Sequence, residues 1–289
     1  MALCPWNNAA KGVTEMEEKY SVLMSVYHRE CPEYLRESLM SILTQTVKTD
    51  DLILVCDGPL TGELDWVIEE FEKEYPDVMR VHRLDCNQGL AAALNAGLVL
   101  CKHDLVARMD TDDLAMPDRC RLQLEKFRED PELTIVGGAV EEFEDSPDRI
   151  TAHKSMPESH EQIREYARVR NPFNHPTVMY RKSAVLAVGG YPEEMLHEDY
   201  SLWAELLLAG ARGYNLPQTL VRMRTGNDLY ARRGGARYLI QGIKLRWKFY
   251  RMGLYSFGNL IYVTAGLTLV CLVPVDIRKG IYRLILRKE

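Results

Sequence analysis

Over the first two hundred residues, short apolar runs alternate with amphipathic stretches, an order that restricts the chain to βαβ units around a mostly parallel sheet. Residues 20–26, 52–56, 79–84, 105–109 and 135–140 read as strands. Pro32 stands at a first helical position ahead of Leu35, Leu39, Ile42 and Leu43 on one stripe. Residues 63–75 set Trp66, Val67, Ile68 and Phe71 on one helical side, and Pro76 stops that helix. Residues 89–100, with Asn87 and Gly89 as turn residues, and 119–129 read as two more helices. Residues 141–181 are mixed, and a helix over 199–208 is closed by Gly210. No internal repeat or low-complexity segment interrupts this order.

Charge divides the chain. Its 289 residues carry a net −6, yet residues 229–289 hold twelve Lys and Arg against Asp276 and Glu289, a net of +10 that leaves −16 for the remainder. We expect a flexible N-terminus (1–19), one catalytic domain (20–228) and a basic, apolar C-terminal helical module (229–289). Residues 252–275 contain no charge, long enough as a helix to cross roughly 30 Å of hydrocarbon. Basic residues flank the segment on both sides, whereas a spanning helix shows a one-sided bias. That favours an anchor on the cytoplasmic membrane face, peripheral or monotopic, with a buried helical hairpin as the alternative. The seven cysteines form no CxxC pair and the N-terminus shows no secretory pattern, which points to a reducing, cytoplasmic location. The basic residues border an apolar stretch rather than exposed aromatics, which argues against nucleic-acid binding.

The strand at 105–109 ends in Asp110, Asp112 and Asp113, before Pro117 opens a helical pattern. Carboxylates at the carboxyl end of a strand place hard oxygen ligands where open parallel sheets bind substrates, which suits Mn²⁺ or Mg²⁺ holding a diphosphate. A solvated acidic turn capping the next helix is the alternative. Asp57, in VCDGP, stands ready to accept a hydrogen bond from a base or ribose, or forms a turn. Val26, Tyr27, His28 and Arg29 offer backbone groups and an aromatic edge to the same crevice. In NPFNHPT, residues 171–177, two Asn and His175 are compressed between prolines, a preorganised set for a hydroxyl-rich ligand or a rigid polar loop. Glu198 and Asp199 precede the stripe Leu202, Trp203, Leu206 and Leu207, which suits a general base or a helix cap.

Taken in order, SVLMSVYHRE, VCDGP, NQGLAAALNAG, ARMDTDDLAMPDR, NPFNHPTVMYRKSAVLAVGGY and HEDYSLW resemble the inverting family 2 glycosyltransferases, especially those building bacterial surface polysaccharides. The likeness runs from about residue 20 to 233. It implies a GT-A fold, that is, an α/β mixed, mostly parallel sheet flanked by helices, followed here by the membrane-associating helical tail. It implies metal ligands Asp110 and Asp112 with Asp113 beside them, a catalytic base at Asp199 next to Glu198, and nucleotide-sugar contacts from Val26, Tyr27, Arg29, Asp57, Asn95, Arg108, Thr111 and His175. Arg232 and Arg233 would close over the phosphates. Cys56 stands where many relatives carry an acid, and Leu94 where an arginine is frequent. Gln241, Arg246 and Trp247 miss the spacing of processive synthases, so the expectation is transfer of one sugar from a nucleotide sugar, UDP-linked for preference, to a lipid-linked or glycan acceptor. A sugar nucleotidyltransferase would carry a Gly-rich basic loop after the first strand, where this chain reads SVYHRECPEY. A non-catalytic partner in a polysaccharide assembly complex, and a homo-oligomer, stay open.

Overall fold

The computed structural model describes residues 19–193, 197–225 and 235–272. Its elements are β1 (Tyr20–Val26), α1 (Pro32–Leu43), β2 (Leu52–Cys56), α2 (Gly62–Glu74), β3 (Met79–Arg83), α3 (Leu90–Leu98), β4 (Leu105–Asp110), β5 (Leu114–Ala115) and α4 (Arg119–Glu129), then β6 (Leu133–Phe143), β7 (Ile150–Lys154) and α5 (His160–Tyr166). A 3₁₀ turn (His175–Thr177) leads to β8 (Met179–Arg181), α6 (Lys182–Ala187), α7 (Glu198–Leu208), β9 (Arg212–Arg224), α8 (Ala236–Arg251) and α9 (Phe257–Leu272).

One sheet joins the strands in the order β3-β2-β1-β4-β8-β6-β9-β5, with β7 on β6. β3, β2, β1 and β4 run parallel, and β6 pairs with β9 in the same sense. β8 lies antiparallel between β4 and β6. Strand alternation divides the core between two faces. Val22, Met24 and Leu54 pack under α1, α2 and α4 with Leu39, Ile68 and Phe127. Leu23, Ile53 and Val55 pack under α3 and α7 with Leu94, Leu98 and Trp203.

Several expectations change. Trp66 leaves the buried stripe of α2, which is Leu64, Val67, Ile68 and Phe71. It is 63% exposed, with the Arg36 guanidinium 5.3 Å from its ring centre. β9 was not among the expected strands; it contains Gly213 and Pro217, which it accommodates by register shifts against β6. The uncharged stretch 252–275 is not one long helix through its described part: Gly253, at φ 83, turns the chain between α8 and a 16-residue α9. No helix among the described residues is long and apolar enough to cross a membrane. Leu245, Phe249, Tyr255 and Val263 join the core around Tyr200 and Trp203, so the change of charge near residue 229 marks a change of surface, with the core continuing across it. Residues 1–18 and the Arg232–Arg233 pair lie outside the described residues.

Candidate active site

The parallel strands bring their carboxyl ends to one edge, and β4 delivers the acidic turn there, with Ser25 of β1 in register with Asp110. One carboxylate oxygen each from Asp110, Asp112 and Asp113 lies within 4.8 Å of the others. The turn does not cap α4, whose cap residue is Asp118, so the capping alternative fails. Arg108, fully buried one pleat back from Asp110, donates to both Asp110 oxygens, one at 2.6 Å. Its guanidinium holds Asp110, the partner the structure gives it. Arg119 in turn donates to the Arg108 carbonyl at 2.6 Å, fixing the strand end.

The end of β9 closes the turn from the other side. The Arg224 backbone donates to Asp113 Oδ1 at 2.9 Å and its Nε to the Asp112 carbonyl at 3.2 Å, while its guanidinium lies 3.7 Å from the Tyr34 ring centre and pairs with Glu37. Thr111 donates to Glu30 at 2.8 Å, which adds a fourth carboxylate. Burial, Asp110 and Glu30 raise the Asp112 carboxyl to about 7. Burial, Asp112 and Asp110 drive Asp113 well above the usual carboxylate range. Asp113 Oδ2 is buried with no hydrogen-bond partner among the described residues. Crowded anions with an orphaned oxygen suit a divalent cation, whose charge would offset their mutual repulsion and whose oxygen ligands are carboxylates of this kind.

The remaining acids lie on α7. Its cap position is His197, held in the left-handed region at φ 67, so Asp199 is a first-turn residue and not the cap. Asn171 donates to Asp199 Oδ2 at 2.6 Å and is steadied by the Phe173 N–H. Burial and Asp199 raise the Glu198 carboxyl, with a further upward push from Asp110 and an opposing one from Arg108. The acidic turn and the first turn of α7 therefore stand within reach of each other's charge, with Arg108 acting on both.

Other expected contacts divide. Tyr27 and Arg29 are exposed just beyond β1. The Val26 side chain is in the core, and its carbonyl accepts from the Asp57 N–H at 2.8 Å. Both Asp57 oxygens accept backbone N–H groups, from Gln88 at 2.7 Å and Gly89 at 3.0 Å, so this acid ties β2 to the start of α3. Asn95 faces the protein: its amide donates to the Tyr191 carbonyl at 2.8 Å and accepts the Tyr191 N–H at 2.7 Å, clamping the Gly190 turn. His175 Nε2 lies 3.2 Å from the Tyr191 hydroxyl, with its ring against Trp203, and burial lowers its pKa well below the usual value. It acts as a neutral member of an aromatic wall. Sequence reasoning missed Glu30, although it ends the first motif, and Arg224, whose place depends on tertiary contact alone.

A mostly parallel sheet of this kind, with acids at the β4 edge and a second acid pair in the first turn of α7, is the architecture of a GT-A glycosyltransferase. Residues 21–189 match the family model described as Glycosyl transferase family 2, and the chain belongs to that family. It is 39% identical over 270 residues to the UDP-Gal:alpha-D-GlcNAc-diphosphoundecaprenol beta-1,3-galactosyltransferase of Escherichia coli, covering 93% of this chain and 97% of that protein. It is 36% identical over 267 residues to the amylovoran biosynthesis glycosyltransferase AmsE of Erwinia amylovora, covering 91% and 97%. In fold it is similar to the mannosyltransferase PcManGT from Pyrobaculum calidifontis in complex with GDP-Man and Mn²⁺, with a TM-score of 0.65 at 16% identity over 98% of this chain and 79% of that one.

Proposed function

We propose that this glycosyltransferase is a metal-dependent, inverting hexosyltransferase that moves one sugar from a UDP-sugar to a lipid-linked acceptor during assembly of a cell-surface polysaccharide, at the cytoplasmic face of the membrane. The observation that carries the reading is the Asp110, Asp112 and Asp113 cluster at the end of β4, with Glu198 of α7 near enough to feel the charges of Asp110 and Arg108. The galactosyltransferase relative supports a UDP-sugar and a diphospholipid acceptor.

Asp112 and Asp110, with Asp113 beside them, would hold the cation, and Mn²⁺ or Mg²⁺ there would supply Lewis-acid stabilisation to the departing diphosphate. Arg108 neutralises Asp110 and keeps it aimed. Tyr27, Arg29, Thr111 and the Asp57 turn border the nucleotide, and the His175 wall backs the sugar. Asp199, oriented by Asn171, takes the proton of the acceptor hydroxyl as that oxygen attacks the anomeric carbon from the face opposite the leaving group. Glu198 sits beside it as the second acid of the turn.

The test is transfer from UDP-, GDP- and dTDP-sugars to a short-chain GlcNAc diphospholipid, with Mn²⁺, with Mg²⁺ and with EDTA. The expected result is a β-linked product from one α-linked UDP-sugar, lost in EDTA. Full activity in EDTA removes the metal reading, and a product of retained configuration removes the base at Asp199.

A further inference from the structure

Helices α8 and α9 lie side by side and antiparallel: a Cβ on Gly242 would meet Leu267 at 2.5 Å, Arg246 Nε donates to the Val263 carbonyl at 3.2 Å, and the Tyr250 and Phe257 rings stand 6.2 Å apart. One flank of the pair is sealed to the body. Leu245, Phe249 and Val263 enter the core, and Lys248 pairs with Glu205 of α7 at 3.1 Å.

The other flank is uncovered. Ile240, Ile243 and Trp247 follow helical spacing on α8, and Tyr262 and Leu269 do so on α9, with exposed Ile261 next to them around the helix; Trp247 is 52% exposed and Tyr262 is 73% exposed. Single exposed apolar residues are ordinary, but six on two adjoining helices form a patch. Lys244 and Arg251, also exposed, lie on the Ile240–Trp247 stripe, and residues 236–272 contain no acid. Apolar and aromatic groups interleaved with cations match the headgroup layer of an anionic bilayer. A second copy fits worse, because a two-fold contact would bring both sets of Lys244 and Arg251 together with no acid from either helix pair between them.

We propose that this flank seats on anionic lipid, with both helices lying along the headgroup plane. The Tyr238 ring, near the start of α8, packs edge-on against His197 at 5.5 Å, immediately before Glu198. The stripe therefore begins beside the acid turn of α7, which brings that turn to the surface where a lipid-linked sugar stands. Only this last point rests on the proposed function; the docking itself rests on the patch.

The full chain is floated with vesicles of phosphatidylcholine alone and of phosphatidylcholine with phosphatidylglycerol. Wild type is expected to float with the anionic vesicles. An Ile243→Gln, Trp247→Gln, Ile261→Gln, Leu269→Gln variant should lose at least about tenfold in partitioning, and Lys244→Gln with Arg251→Gln several-fold, on anionic vesicles only. Both should keep transfer to a water-soluble acceptor, which establishes that they fold. As a check without disruptive changes, lipids brominated in their acyl chains should quench tryptophan emission in wild type and markedly less in Trp247→Phe. Wild type that stays unbound, variants that float equally, quenching unaltered in Trp247→Phe, or a dimer that the apolar substitutions split would each overturn the proposal. Absent transfer with intact vesicle binding would count against the proposed function alone.

Discussion

In metal-free buffer the acidic turn works against folding, and Asp112→Asn should relieve it. The Asp112 carboxyl is raised from 3.8 to about 7 by burial, Asp110 and Glu30. A carboxyl that binds its proton more tightly in the folded chain lowers stability only where it ionises. The cost is absent below about pH 4, grows between about pH 4 and 7, and is complete above about pH 7. A rise of this size corresponds to roughly 4 kcal/mol, and because the repulsion is shared with neighbouring acids the variant should recover about 2–4 kcal/mol at high pH. For a chain of this size that is a Tm increase of roughly 4–15 °C. Thermal unfolding followed by circular dichroism in EDTA, at about pH 5 and about pH 8.5, reads it. The gap between variant and wild type should widen with pH. Mn²⁺ should raise the wild-type Tm and leave the variant nearly unmoved, since binding to the folded state alone is what stabilises. A variant no more stable than wild type at high pH, or a gap independent of pH, refutes the account of the turn as crowded anions awaiting a cation.

Asp199→Asn should lower kcat by about 10²–10⁴ with the donor KM nearly unchanged, measured by transfer of labelled sugar; normal turnover removes its role as base. Asn171→Ala removes the donor to Asp199 Oδ2 and should lower kcat about tenfold, again without changing donor KM, and Asn171→Ser should restore part of it; an unchanged kcat would show that Asp199 needs no such support. Gly190→Ala puts a Cβ 2.5 Å from Asn95 Oδ1 at φ 84 and should cost about 1–3 kcal/mol in thermal unfolding, so an unaltered Tm would refute the Asn95 clamp.

Where local pattern and final environment agree, the sequence reading holds. Apolar runs fixed β1 and β2 to the residue, because strands buried on both faces favour apolar side chains on both: β2 is apolar throughout, and β1 is interrupted only by Ser21 and Ser25. Pro32 opened α1 and Gly210 closed α7, since each acts through its own backbone. Trp66 failed because an indole can rest on the surface under a guanidinium as well as inside. Asn95 and Arg108 read as ligand contacts because residue type announces hydrogen-bonding capacity without direction, and here both turn inward to Tyr191 and Asp110.

The one-dimensional chain thus determined its class of fold, the acidic strand end and the acid pair at the start of α7, all properties of consecutive residues. Only the tertiary structure decided which groups meet. Thr111 reaches Glu30, Arg224 locks Asp113 from more than a hundred residues away, Asn171 aims Asp199, and the uncharged stretch turns at Gly253 so that α9 lies back against α8 with one flank of the pair in the core. Those pairings depend on loop closures and on burial shared among distant elements, and no local periodicity encodes either.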